Sequence, residues 1–153
     1  SKKCNYIHSK IKYNMNNSKL TSRKIKEEDW GILEEWWSNW PDSSAPPKDS
    51  LPGNGTDGII IEDNGQPVIA GFIYQTNSKL AMLEGLISDP NYKDRKKRDV
   101  AVHTLLLCLQ EAAKIMGYKY IFGMTENKRI TNLRTKFGWC LNAKPNYVLT
   151  KIL

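Results

Sequence analysis

The stretch that most constrains the fold runs from residue 80 to residue 125. Leu80-Ala81-Met82-Leu83-Glu84-Gly85-Leu86-Ile87 is an apolar run of strand length. Ser88-Asp89-Pro90-Asn91 closes it with turn-forming residues. Lys93-Asp94-Arg95-Lys96-Lys97-Arg98 follows as a basic loop. Asp99 then stands where a helix N-cap is expected, because its carboxylate can accept from the backbone N–H groups that a first turn leaves unpaired. Val102, Leu105, Leu106, Leu109, Ala112, Ala113 and Met116 recur at three- and four-residue steps, which places them on one helical face. Gly117 sits where a helix end favours a left-handed residue, and Tyr118-Lys119-Tyr120-Ile121-Phe122-Gly123-Met124-Thr125 reads as a second strand. Strand, loop, helix and strand make one crossover, so the two strands are expected to be parallel neighbours.

That unit also suggests where chemistry could lie. Ligands of open α/β sheets bind beyond the carboxyl ends of strands, and a helix N-terminus there offers N–H groups and a positive dipole end to an anion. Lys93, Arg95, Lys96, Lys97 and Arg98 reinforce that field. A solvated charged loop is the plain alternative; its placement between strand and helix favours phosphate. The formal net charge of +7 fits an anionic partner, but cofactor phosphates, nucleic acid and acidic peptides all meet that description.

The remainder adds a frame. A length of 153 residues suits one domain: a polar arm over residues 1–18, then a single domain over 19–153. Residues 20–26 alternate weakly, as a strand does. Residues 27–40 read as a helix with Trp30, Leu33, Trp37 and Trp40 on one stripe and Trp36 beside it. A helical stripe of this kind is expected to be core, although Trp36 is placed to line a pocket. Residues 41–58 carry no periodicity and form a long loop. A hairpin follows around Asn64-Gly65, and Gly71 in its second strand marks a bulge or a close backbone approach. A short helix over residues 128–136 and a closing hairpin are expected near the carboxyl end. Cys4, Cys108 and Cys140 form no disulfide framework and no metal spacing, which fits reduced thiols in a cytoplasm. His103 is expected to be structural. No apolar run is long enough to span a bilayer, so no membrane partner is expected.

The order Leu83-Glu84-x-Leu86-x-x-x-Pro90, basic loop, amphipathic helix, Gly117, strand, Asn127, then Lys136-Phe137-Gly138-Trp139 resembles the GNAT superfamily of N-acetyltransferases. The likeness covers about two thirds of the chain well. It implies an α/β (α+β) fold: a mixed, mostly antiparallel sheet of six to seven strands, a central parallel βαβ crossover, and helices on both faces. It implies acetyl-CoA as cofactor. The diphosphate would lie at Arg95, Lys96, Lys97, Arg98, Asp99 and Val100, and the pantetheine arm along the backbone of Leu86, Ile87 and Ser88 and beside Asn127. Glu84 matches a strand glutamate that serves some relatives as general base; a buried, hydrogen-bonded or substrate-orienting role stays open. The backbone N–H of Ser88 or Ile87 would face the thioester oxygen. Arg134 stands where the family usually has a tyrosine acid, a role that arginine cannot copy. Trp36, Trp40 and Tyr74 are candidate acceptor-shaping residues. The chain departs from the family in its loop: no glycine occurs from Asn91 to Met116, and the loop is a few residues longer than usual. This glycine-poor pattern is similar to that of small phage-type acetyltransferase-like proteins.

Two further classes remain in view. One is a GNAT-fold binding or inhibitory protein with weakened catalysis, with or without CoA. The other, ranked last because aromatics are not interleaved with the basic residues, is a nucleic-acid-binding module. The expected acceptor is a small-molecule or peptide amine, the expected compartment is the cytoplasm, and the oligomeric state is open, a homodimer included.

Overall fold

Three consecutive segments with almost unbroken apolar character form the middle of the structure. They are β3 (Gly58–Asp63), β4 (Gln66–Tyr74) and β5 (Leu80–Ser88). Strands that are buried on both faces lose the polar alternation of a half-exposed sheet, and β3 and β4 are buried along nearly their whole length. The computed structural model describes residues 14–15, 18–125, 128 and 138–139. Among these, β1 (Asn14–Met15), β2 (Ser18–Lys24) and β6 (Tyr120–Phe122) complete a six-stranded sheet with strands in chain order. β1 to β5 are antiparallel neighbours, and β5 and β6 are parallel. The chain divides into two compact units, Ser1–Gly123 and Met124–Leu153, and every strand and helix named here belongs to the first. The expected closing hairpin, the short helix, Asn127 and Arg134 lie outside the described residues.

Helices cover both faces. α1 (Trp30–Asn39) sets Leu33, Trp36 and Trp37 against Ile60, Ala70, Phe72 and Ile87. α2 (Arg95–Ile115) packs on the opposite face, where Leu105 and Leu109 approach Gly71 so closely that a Cβ there would meet them at 3.3 and 3.1 Å. Since successive strand residues point to opposite faces, Gly71 and its neighbours Ala70 and Phe72 serve the two layers separately. The tryptophan stripe is core, as its spacing predicts: Trp36 and Trp37 are buried, and Trp30 and Trp40 are packed against them.

Local chemistry sets the ends of these elements. Asn64 and Gly65 both take positive φ, 51° and 83°, and turn β3 into β4 in two residues. α1 begins after a single 3₁₀ turn, Glu27–Asp29. Asp29 accepts from the Lys26 N–H at 2.7 Å and from two nitrogens of Arg23, which also reaches Glu62. α2 ends on Gly117 with φ 89°. The Tyr118 N–H bonds Ala113 O and the Gly117 N–H bonds Lys114 O, a Schellman closure that satisfies two terminal carbonyls.

Two expectations are corrected. The helix start is not Asp99 but Asp94, whose carboxylate accepts from the N–H of Lys96 and Lys97 at 3.0 and 3.1 Å. Arg95 to Arg98 are therefore helical, and the loop before them is short. The last parallel strand covers Tyr120–Phe122 rather than eight residues, because its pairing with β5 stops there.

Candidate active site

Among the described residues, β5 has a second partner strand over only part of its length. Leu80, Ala81 and Met82 pair with Tyr120, Ile121 and Phe122, and there the parallel ladder ends. β5 continues to Ser88 with β4 as its one partner strand among the described residues. Its register against β4 also shifts. Ala70 pairs with Ile87 but Phe72 pairs with Glu84, so Gly85 and Leu86 together oppose Gly71. This bulge re-aims the strand. Gly85 takes φ 66°, and a Cβ there would meet Phe72 at 2.9 Å, so both backbone and space require glycine.

Past the bulge, the Asp89 N–H donates to Val68 O at 2.9 Å. That bond makes Ile69 and Ser88 a non-hydrogen-bonded pair, whose own N–H and C=O groups point away from each other. The N–H and C=O of Ser88 therefore face the open edge, while Ile87 turns its groups toward β4. The Ser88 carbonyl accepts from Trp40 Nε1 at 2.8 Å. Asp89 O accepts from Arg98 Nη2 at 3.2 Å. The Arg98 guanidinium also lies over the Trp40 ring, 5.3 Å from its centroid, and its Nε is buried without a hydrogen-bond acceptor among the described residues.

The start of α2 is electrostatically frustrated. Arg95, Lys96, Lys97 and Arg98 occupy its first turn with no acidic residue among them. Cations at a helix N-terminus oppose the macrodipole, at roughly 0.3–1 kcal/mol each when exposed. Asp94 offsets part of this, and its carboxylate already holds the amides of Lys96 and Lys97. The turn leading into the helix is pinned by Tyr92, which donates to Asp63 Oδ2 at 2.9 Å. Burial first, and then that bond, hold the Tyr92 phenol protonated well above its ordinary range. Beside this turn a groove of ≈ 440 Å³ lies between α1 and the β3–β4 turn, lined in part by Trp36, Asn39, Asp63, Asp89 and Tyr92.

On the same face as α1, Tyr74 and Glu84 are neighbours. Tyr74 pairs with Met82 and Phe72 with Glu84, so the two side chains lie diagonally on one face. Burial, and secondarily the charge of Glu84, raise the Tyr74 phenol above its usual value.

Solved structures share this fold. The ribosomal-protein-S18-alanine N-acetyltransferase of Escherichia coli matches with a TM-score of 0.63 at 16% identity, over 78% of this chain and 76% of that one. AAC(6')-Iy, bound to the bisubstrate analogue CoA-S-monomethyl-acetylneamine, matches with a TM-score of 0.57 at 16% identity, over 87% of this chain and 99% of that one. This chain has the GNAT N-acetyltransferase fold. The N-acetylglutamate synthase of Neisseria gonorrhoeae, complexed with coenzyme A and N-acetyl-glutamate, shares the GNAT fold with a TM-score of 0.61 at 12% identity. That match covers 76% of this chain and 27% of the synthase. By sequence, no family model and no curated protein matches.

On the GNAT frame, the residues singled out from sequence fall into three groups. Glu84, Tyr74, Trp36 and Trp40 gather on the α1 face, with Ile87 buried beneath that layer. Leu86 faces the other way, near Gly71 and the leucines of α2, so what it presents to the open edge is backbone. Arg95 and Lys96 are exposed at the start of α2, Lys97 and Arg98 are half-buried, and Asp99 and Val100 lie further along the helix. Sequence reasoning missed Asp94, Tyr92 and Gly85. The signals were present: an Asp before a charged helical turn, a Tyr within reach of the hairpin, and a glycine inside a strand.

Proposed function

We propose that the chain is an acetyl-CoA-dependent N-acetyltransferase acting on a primary amine of a small molecule or peptide. One observation carries this reading: the parallel ladder ends at Met82, and at Ser88 the N–H points away from β4, on the edge of β5 that has no partner strand among the described residues, near the cationic first turn of α2. The edge suits an extended arm that pairs like an added strand. The buried Arg98 Nε and the basic side chains suit a diphosphate, and Lys97, Arg98 and the exposed Arg95 and Lys96 would hold it. Because Asp94 occupies two of the helix amides, that grip would come mainly from side chains, in keeping with a turn that has no glycine.

Within this reading Glu84 takes the proton from the attacking amine, directly or through water, a role that contributes about 10²–10⁴-fold. The Ser88 N–H stabilises the oxygen of the tetrahedral adduct, and one such donor contributes about 10²–10³-fold. Asn127 and Arg134 are proposed for the arm and the leaving thiolate on resemblance alone. Bound acetyl-CoA supplies the thioester; this chain orients it and removes a proton. Calorimetry with CoA, followed by acetyl transfer to a panel of amines, tests the proposal. Micromolar binding and an acetylated product are expected; no binding at millimolar CoA overturns it.

A second reading has its own observation. The Asp94 carboxylate sits where a phosphate would compete for the amides of Lys96 and Lys97. A GNAT-fold binding protein with weakened catalysis fits that feature. It predicts CoA binding without product from any amine.

A further inference from the structure

Trp40 stands apart from the other tryptophans of α1. Trp36 and Trp37 are 5% and 7% exposed and fill the core, whereas Trp40 is half-buried and ends the helix in an extended conformation. Its ring is held at two places by groups unrelated to the core. Its single donor, Nε1–H, bonds the Ser88 carbonyl, and the Arg98 guanidinium lies over its face. Arg98 in turn bonds the next carbonyl, that of Asp89. Consecutive carbonyls at the end of β5 are thus clamped by side chains from the end of α1 and the start of α2. Packing does not account for the indole N–H, which a phenylalanine or leucine at this position would lack.

We propose that Trp40 is a positioning residue that locks the Ser88–Asp89 peptide and Arg98 into one unit. The Asp89 N–H is tied to Val68 O on one side and the Ser88 C=O to the indole on the other. This fixes the Ser88–Asp89 peptide plane and so restrains the Ser88 backbone next to the peptide that carries the Ser88 N–H. A preorganised donor is worth more than one that must reorient during reaction. The same ring fixes the guanidinium, so the open edge and the cationic turn share one support.

The consequence for turnover rests on the acetyltransferase reading, but the clamp is a property of the free protein, so two readouts separate them. The first is amide exchange in the free chain. Trp40→Phe keeps a ring under Arg98 and removes the donor. Exchange at the Asp89 amide, the one bonded to Val68 O, is expected to rise about tenfold, while the amides of Leu105 to Leu109 stay unchanged. Unchanged exchange at Asp89, or an equal rise everywhere, overturns the proposal. Arg98→Lys keeps the charge and removes the planar group. It is expected to speed exchange of the Trp40 indole N–H, and no change there also overturns it, so a poorly folded Trp40→Phe leaves the test intact. The second readout is turnover. Trp40→Phe should lower kcat about tenfold with KM for acetyl-CoA changed less than about threefold, because the loss falls on a group used in the transition state. A change confined to KM overturns the positioning role. If the wild-type chain neither binds CoA nor transfers acetyl, the acetyltransferase reading fails and the exchange result still decides the clamp.

Discussion

From Leu80 to Met82, β5 lies in the parallel ladder with β6, and at Met82 it is also paired with β4. From Leu83 to Ser88 it keeps only β4 among the described residues, carries a bulge, and is braced at its end by Trp40 and Arg98. One strand thus passes from a stretch in the parallel ladder to a stretch held by the antiparallel ladder on one edge and by side chains at its end. Ladder bonds are repeated and interchangeable. A clamp made of one indole and one guanidinium is specific, and it leaves backbone groups facing outward for a ligand. The difference lies in which groups satisfy the backbone at each end of the strand.

The largest expected effect comes from the residue under the bulge. Phe72 is fully buried, stacks against Trp37 with centroids 6.4 Å apart, and meets Gly85. Phe72→Ala should destabilise by about 3–5 kcal/mol, read by urea unfolding. A loss below about 1 kcal/mol would mean the open half does not depend on the core beneath it. Glu84→Gln should leave stability and CoA affinity nearly unchanged while lowering kcat by about 10²-fold or more; a wild-type rate would assign Glu84 to structure alone. Gly85→Ala should destabilise by about 1–2 kcal/mol from its left-handed backbone alone, with further strain against Phe72. A neutral result would show that the bulge relaxes.

The smallest effect is a titration across the boundary between the halves. Tyr74 faces Met82 in the zipped half and is raised by burial and by the charge of Glu84 in the open half. Removing that charge in Glu84→Gln should bring the Tyr74 value down toward, but not to, the ordinary one near 10, followed by ultraviolet titration. Because the folded value lies above the unfolded one, the stability tied to this phenol is complete below pH about 10 and is lost as pH rises through the folded value. The variant should begin that loss at the same pH and complete it sooner. An unshifted Tyr74 would separate the two side chains.

Much of the frame was legible. The 3.6-residue spacing from Val102 to Ala113 marked the buried face of α2, Gly117 marked its end, Asn64-Gly65 marked the hairpin, and Gly71 marked the irregularity opposite the bulge. These features are local: each follows from backbone preferences and from apolar spacing within one element. The helix start was misplaced because Asp94 and Asp99 both flank a basic turn, and composition does not distinguish a cap from a helical acid. The cap is decided by which carboxylate reaches the amides of Lys96 and Lys97.

The sequence alone determined that a strand, a cationic turn and an amphipathic helix form one parallel crossover, since hydrophobic period and turn chemistry are written residue by residue. The tertiary structure decided that β6 stops after Phe122, that Ser88 faces outward, and that Trp40 meets Arg98 across more than fifty positions of chain. Those contacts depend on register and on the packing of two helices against opposite faces of one sheet, which no local pattern encodes.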